Sequence, residues 1–483
     1  MIRLSLAAIA EIVGGTLHDV PDPTAEVTAG VEFDSRKMTP GGLFLALPGE
    51  RVDGHEHAAG AIAAGAVAVL AGRPVGVPAI VVEHADGPGP AVLAALATLA
   101  RASVADLVAG GLTVVGVTGS SGKTSTKDLI RAVLERAGSV VAPPGSFNNE
   151  LGHPWTALRA DASTKFLVLE LSARGRGHIA ELAAIAPPRI GVELNVGTAH
   201  LGEFGSREII AEAKAELVQA LPADEAGGVA VLNLDDPLVA AMASKTTARV
   251  VTYGQNEGAD VHARDIVLDD TARASFTMVT PSGSAPVSLL VHGEHQVGNA
   301  LAAAAVGLEC GMDVETIAAA LSGAEAASAR RMDVRTRADG VTVVNDSYNA
   351  NPDSVRAALK ALVTMARSGR DGGRRSWAVL GEMGELGDDS VIEHDRIGRL
   401  AVRLAVSKII VVGTGRPSHG MYQGAVMEGS WGDEAYLVDD PAAAIELLRE
   451  EILPGDLVLV KASRSIGLWT VAEALLDEQG ETR

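Results

Sequence analysis

Short unbroken apolar runs alternate along this chain with longer stretches in which apolar residues recur at helical spacing. Positions 43–47, 67–70 and 79–82 read as strands, and 56–64 and 90–107 as Ala-rich helices. Gly110-Gly111 punctuates the chain, and a very apolar strand follows over 113–117. From there to about residue 325 the succession of strand, glycine-rich turn and helix repeats. The strands predicted over 166–171, 190–195 and 229–234 are continuous rather than alternating, the pattern of strands covered on both faces. Helices are predicted over 206–221 and 295–308. Beyond Ala324 the pattern restarts, with strands over 341–345, 376–381, 408–412 and 457–461 and helices over 352–366, 390–405 and 441–451. The polar, glycine-rich stretch 368–375 reads as an exposed loop. Regular βα succession predicts mostly parallel sheets with helices on both faces. The expected architecture is three α/β units in series, over 1–110, 111–325 and 326–483.

Composition narrows the function classes. A length of 483 residues suits several domains. Lys and Arg number 40 against 61 Asp and Glu, a net charge of −21, which removes the basic field that sequence-independent nucleic-acid binding needs. An anionic small ligand stays open, because a few local cations and backbone N–H groups can hold one. The single cysteine, Cys310, excludes an intrachain disulfide and a thiolate metal cage and suits a reducing compartment. Arg3 precedes a short apolar run that Glu11 ends, unlike an export signal. The most membrane-like stretch, 58–82, is broken by Arg73, Pro74 and Pro78. A cytoplasmic monomer without a membrane span is therefore expected.

The strongest local signal is Val117-Thr118-Gly119-Ser120-Ser121-Gly122-Lys123-Thr124-Ser125, where an apolar strand enters a Gly/Ser turn and then a helix predicted over 125–136. Glycines let backbone N–H groups face phosphate oxygens, and the helix brings its positive end to the same place. Lys123 would reach the terminal phosphates and Thr124 would ligate Mg²⁺, although the strict spacing puts Val117 where the pattern has its first glycine. Such a loop needs an acidic partner at a neighbouring strand end, and Glu170 closes the apolar run 166–169. His200 follows another strand at the same rim, and Lys214 lies in the helical run 209–217. Taken alone, the first reads as a structural histidine and the second as a solvated helix lysine.

Six segments in order resemble the Mur ligases of peptidoglycan synthesis across essentially the whole chain: 118–125, 147–154, 195–205, 293–303, 345–352 and 381–387. Asp34-Ser35-Arg36 and Asp53-Gly54-His55 also look like that family's UDP-sugar module. The resemblance implies an α/β, three-domain Mur ligase architecture. In it a UDP-sugar-binding domain precedes a central P-loop ATPase domain, and a Rossmann-like C-terminal domain closes on ATP and binds the incoming dipeptide.

It also implies ATP and Mg²⁺ as cofactors and an acyl-phosphate route joining D-Ala-D-Ala to UDP-N-acetylmuramoyl-tripeptide (UDP-MurNAc-tripeptide). Lys123, His200 and Lys214 would be catalytic, with Lys214 carbamylated. Gly119, Ser120, Ser121, Gly122, Lys123, Thr124, Ser125, Asn299, Arg331 and Asp346 would hold ATP. Of Arg330 and Arg331, the residue before Met332 is preferred. Thr124, Glu170, His200 and Lys214 would serve metal, and Ser35, Arg36, Asn149, Asn349, Lys461 and Arg464 the substrates. The chain departs from the family pattern at Ser172 and Gln296. Two alternatives are weaker. The ligase that adds the third amino acid has diamino-acid-binding members carrying Asp-Asn-Pro-Arg, absent here, and a GTP switch usually needs an Asn-Lys pair, also absent.

Overall fold

The computed structural model describes residues 1–49, 52–198, 201–367, 373–429 and 434–477. His200 and residues 368–372 of the expected loop lie outside them. Three domains follow one another, each built on its own main sheet.

The first sheet has the order Thr16–His18, Ala79–Val81, Ala68–Ala71, Leu43–Leu45, Val31–Glu32 and is parallel except for its first strand. The stretch 58–82 is thus a short helix, Ala58–Ala63, and two buried strands. Among the described residues one helix is long and apolar enough to cross a membrane, Pro88–Ala109, and half of its most apolar window is buried inside the protein. Its apolarity comes from being packed on several sides. Val92, Leu96, Leu99 and Val104 are fully buried in a core cluster that also takes in Leu6 and Ile9 of the first domain and Leu158, Leu167 and Leu182 of the central one. The first two domains therefore share a hydrophobic core.

The central sheet has nine strands in the order Gly283–His292, Arg273–Thr280, Val261–Leu268, Arg249–Gly254, Val229–Asn233, Ile190–Glu193, Thr113–Thr118, Phe166–Glu170, Val140–Val141. The seven from Val261–Leu268 to Val140–Val141 pair in parallel, six of them in the βα succession that the continuous apolar runs predicted. The meander over 261–292 departs from that succession, with two antiparallel pairings. In the strand Gly283–His292 buried and exposed residues alternate, so the sheet is wet on one face there, and its Ser, Gly and Pro content hides the strand signal. Lys123–Leu134 is the helix after the glycine turn, starting two residues earlier than predicted. The third sheet runs Asp333–Thr336, Thr342–Asn345, Leu457–Lys461, Ser376–Leu380, Lys408–Val412, Ala435–Val438 and is parallel except at its first strand.

An aromatic junction ties the first domain to the central one. Trp155 lies 5.6 Å from Phe33 and 4.9 Å from Phe147 between ring centres, and its indole N–H donates to the Val31 carbonyl at 2.7 Å. Replacing it with alanine removes the packing and leaves that carbonyl without its donor. Trp155→Ala should destabilise the protein by about 3–5 kcal/mol, read from denaturant unfolding.

Candidate active site

The site forms where the parallel strands of the central sheet reach their carboxyl ends. Strand Thr113–Thr118 is flanked by Phe166–Glu170 on one side and Ile190–Glu193 on the other. Its turn, 119–122, enters the helix Lys123–Leu134 through Gly122 at φ +84°, a left-handed conformation that favours glycine. A Cβ there would also lie 2.9 Å from Asn299 Oδ1. No side chain caps this helix, so its first N–H groups stay open to an anion. Lys123 folds back over the turn and donates to the Gly119 carbonyl at 2.6 Å. Asn195 grips the turn from the next strand end. Its Oδ1 accepts from the Ser121 N–H at 2.9 Å, and its Nδ2 donates to the Ser121 carbonyl at 3.2 Å.

Two fully buried carboxylates stand on either side of this loop. Glu170 pairs in register with Val117, and Glu193 with Thr118. Three donors converge on one Glu170 oxygen, Oε2: Thr124 Oγ1 at 3.2 Å, Asn148 Nδ2 at 3.3 Å and Ser146 Oγ at 3.4 Å. The other oxygen, Oε1, is buried without a partner, and so are both oxygens of Glu193. Burial pushes the Glu170 carboxyl up, against the pull of Lys127, Arg331 and Lys123. Glu193 is raised well above the carboxylate range by burial, opposed by Lys214 and Lys123. Lys214 is buried on the helix Arg207–Gln219. Burial and the charge of Lys123 push its ammonium down to about 7, with Glu193 pulling the other way. An orphaned carboxylate oxygen beside a hydroxyl is a hard donor set of the kind Mg²⁺ accepts. Among the described residues no three His, Cys, Asp or Glu side chains gather as a metal cluster, so a cation here must take mixed ligands.

The third domain supplies the opposite wall of a cleft of about 490 Å³, in the range of small-molecule sites. Residues 120–125, Asn148, Asn299, Arg331, Asp346, Tyr348, Asn349 and Lys461 all line it. Arg330 and Met332 both hold positive φ, +60° and +50°, and this strained turn separates the two neighbouring arginines. Arg331 stacks on Tyr348 at 4.3 Å with its Nε buried and unpartnered, whereas Arg330 turns away onto Trp469 at 4.6 Å and pairs with Glu473. Of the two, Arg331 lines the cleft and Arg330 does not. Lys461 is buried and committed, donating to Asp346 Oδ2 at 2.6 Å and to the Asn349 carbonyl at 3.0 Å. It positions the 346–349 turn rather than offering a free ammonium to a substrate. Arg464 is exposed, 5.9 Å over Tyr348, and is not part of the cleft lining.

Other expected positions lie apart. Ser35 and Arg36 belong to a single helical turn in the first domain, where Arg36 forms a two-point pair with Asp34. Asn149 is exposed and caps a helix start by accepting from the Gly152 N–H at 3.0 Å. Its neighbour Asn148 is the one that faces Glu170 and the cleft. Asn148, Asn195, Glu193 and Tyr348 stand in or beside the site without having been assigned a role from sequence. The signal for Glu193 was available, an acidic residue closing an apolar strand just as Glu170 does.

Sequence models of the Mur ligase family match most of the chain, with the "Mur ligase family, catalytic domain" over residues 28–103, the "Mur ligase middle domain" over 117–307 and the "Mur ligase, glutamate ligase domain" over 330–464. The chain belongs to the Mur ligase family. It is 60% identical to the UDP-N-acetylmuramoyl-tripeptide–D-alanyl-D-alanine ligase of Mycobacterium leprae, over 99% of both chains, and 34% identical to that of Bacillus subtilis over 99% of each. Its fold matches a crystal structure of MurF from Acinetobacter baumannii with a TM-score of 0.84 at 30% identity, covering 98% of this chain and 99% of that one. MurF from Thermotoga maritima, solved in complex with ADP, matches with a TM-score of 0.77 at 30% identity, over 95% and 99%.

The diverging arginines give a direct test. Arg331→Ala should weaken nucleotide binding tenfold or more, about 1.4 kcal/mol by calorimetric titration. Arg330→Ala should leave that affinity unchanged and cost at most about 1 kcal/mol of stability.

Proposed function

We propose that this chain is the ATP-dependent ligase that joins D-alanyl-D-alanine to UDP-MurNAc-tripeptide, forming the pentapeptide precursor of peptidoglycan. The observation that carries the reading is the 60% identity over 99% of the chain to a relative named for that reaction. The site supports it, because a P-loop, two buried carboxylates and an arginine, Arg331, on the opposite wall are what a phosphate-driven ligation needs.

A peptide carboxylate is a poor electrophile, since its negative charge must be displaced and oxide cannot leave. Transfer of the γ-phosphate makes an acyl phosphate, which the dipeptide amine then attacks with phosphate as the leaving group. Two anions have to meet in the first step, so most of the catalysis is electrostatic. Lys123 and the open N–H groups of the Lys123–Leu134 helix hold the phosphates. Arg331 reaches the nucleotide from the third domain, and Asn299 faces it from the central one. Thr124 and Glu170 would hold Mg²⁺, and His200 and a carbamylated Lys214 would serve a second ion. Magnesium, when bound, supplies positive charge between the carboxylate and the γ-phosphate. The first domain, 1–110, takes the UDP-sugar near Ser35 and Arg36, and the third, 326–483, takes the dipeptide toward Asn349 and Arg464. Both walls come from one chain, which suits a monomer, and a cytoplasmic one is the reading that the single cysteine supports.

Lys123→Ala should lower turnover a hundredfold or more, about 3 kcal/mol, while calorimetric titration finds the affinity for UDP-MurNAc-tripeptide nearly unchanged. Near-normal turnover would remove the P-loop from the mechanism.

The depressed ammonium of Lys214 supplies, near neutral pH, the uncharged amine that CO₂ requires. A carbamate signal should therefore appear by ¹³CO₂ NMR in the wild type at pH 8, weaken below pH 7 and vanish in Lys214→Ala. Its persistence in that variant would assign it elsewhere.

A further inference from the structure

The third domain reaches the P-loop through two polar side chains at the start of one helix. The helix Pro352–Arg367 begins beside the cleft. Just before it, Asn351 donates from Nδ2 to the Ser120 carbonyl of the P-loop at 3.3 Å. In its first turn, Asp353 accepts at Oδ2 from the Thr198 N–H at 3.0 Å and from the Thr198 hydroxyl at 3.4 Å. Thr198 belongs to the segment that leaves the Asn195 grip, and the Gly197 N–H of that segment donates to Ser120 Oγ at 2.9 Å. Ser120 is therefore held from two sides, by the central domain directly and by the third domain through Asn351.

The fit is close. A Cβ on Gly197 would lie 2.1 Å from Asp353 Oδ2, so only glycine leaves room for the carboxylate. A second crossing lies nearby, where a Cβ on Gly202 would sit 2.3 Å from the Gly387 nitrogen. The charge of Asp353 is matched by Arg356, whose Nη1 is 3.3 Å from Oδ1, and Arg356 also reaches Glu393 at 3.5 Å. A carboxylate at the rim of a phosphate site would otherwise repel the ligand. Here it is neutralised from behind, and its free face is spent on the Thr198 backbone.

We propose that Asp353 is a positioning residue for the ligation, the latch that couples closure of the third domain to the geometry of the P-loop. The inference rests on the ligase reading above for its rate assay, though not for its structural readout. Asp353 touches neither phosphate nor metal in this role. It fixes the 196–198 segment, that segment fixes Ser120, and the same docking brings Arg331 and Tyr348 to the nucleotide. Binding energy between the domains is thereby used to build the site only when the cleft is shut.

The test uses the full-length enzyme as Asp353→Ala, Asp353→Asn, Gly197→Ala and the double variant Gly197→Ala/Asp353→Ala. Two quantities are read: turnover with saturating substrates, and the distance between labels on the central and third domains, with and without a non-hydrolysable ATP analogue. Asp353→Ala should lower kcat about tenfold with KM for UDP-MurNAc-tripeptide unchanged, and should leave the domains further apart with nucleotide bound. Asp353→Asn, which keeps an acceptor for the Thr198 N–H, should recover much of the loss. Gly197→Ala should be more damaging than Asp353→Ala, because its methyl group wedges against the carboxylate. In the double variant the wedge has nothing to strike, so its kcat should be no lower than that of Asp353→Ala alone. Losses that multiply in the double variant, or an Asp353→Ala enzyme with wild-type kcat and closure, would overturn the latch. Absence of D-Ala-D-Ala-dependent phosphate release in the wild type would instead overturn the ligase reading, leaving the label distances to decide the latch.

Discussion

Two carboxylates buried at the ends of the strands that flank Thr113–Thr118 set the terms for the rest of this structure. Glu170 and Glu193 have no access to water, and three of their four oxygens have no hydrogen-bond partner. A buried carboxylate is tolerated only where cations or donors are brought to it. The cations that bear on this pair come from separate segments of the chain: Lys123 and Lys127 from the P-loop helix, Lys214 from a later helix and Arg331 from the third domain. Bringing these charges together requires the parallel sheet, its crossover helices and a docked third domain. The same arrangement is what phosphoryl transfer between two anions demands, so the stability problem of the buried pair and the chemical problem share one solution.

The domains are joined by two different kinds of contact. The first and central domains share a hydrophobic core through the helix Pro88–Ala109 and the aromatic junction at Trp155. Separating them would expose that core. The third domain keeps cores that are its own apart from Ala272, and it meets the central domain through a hydrogen bond from Asn351 to Ser120, one from the Thr198 N–H to Asp353 and an ion pair of Arg174 with Glu385. Such polar contacts can be exchanged for water at small cost. A pair of domains sharing one core, with a third joined to them through polar contacts, suits the ligation proposed above, in which closure of the third domain would keep water from the reacting groups.

Much of the parallel framework was legible because strands buried on both faces must be continuously apolar. The runs at 166–171, 190–195, 408–412 and 457–461 all became strands within two residues of their expected ends. The meander over 261–292 was not legible, because strands wet on one face carry Ser, Thr and Arg at alternate positions and look like loop. The strand, glycine turn and helix over 113–134 were readable from local spacing alone, since they follow one another along the chain.

The sequence by itself determined the fold class, the position of the glycine turn before the helix Lys123–Leu134 and the acidic residue on the strand beside it. These are properties of short segments, and each follows from hydrophobic continuity, glycine placement or helix polarity within about ten residues. Only the tertiary structure decided which of two adjacent residues faces the cleft. Arg331 rather than Arg330 and Asn148 rather than Asn149 point inward because a left-handed turn and a helix cap rotate their neighbours away. Only the fold, too, could show that Lys461 is consumed by Asp346 and that Asp353 fits against Gly197, since those contacts join residues 115 and 156 positions apart. Packing distances across domains leave no trace in local spacing.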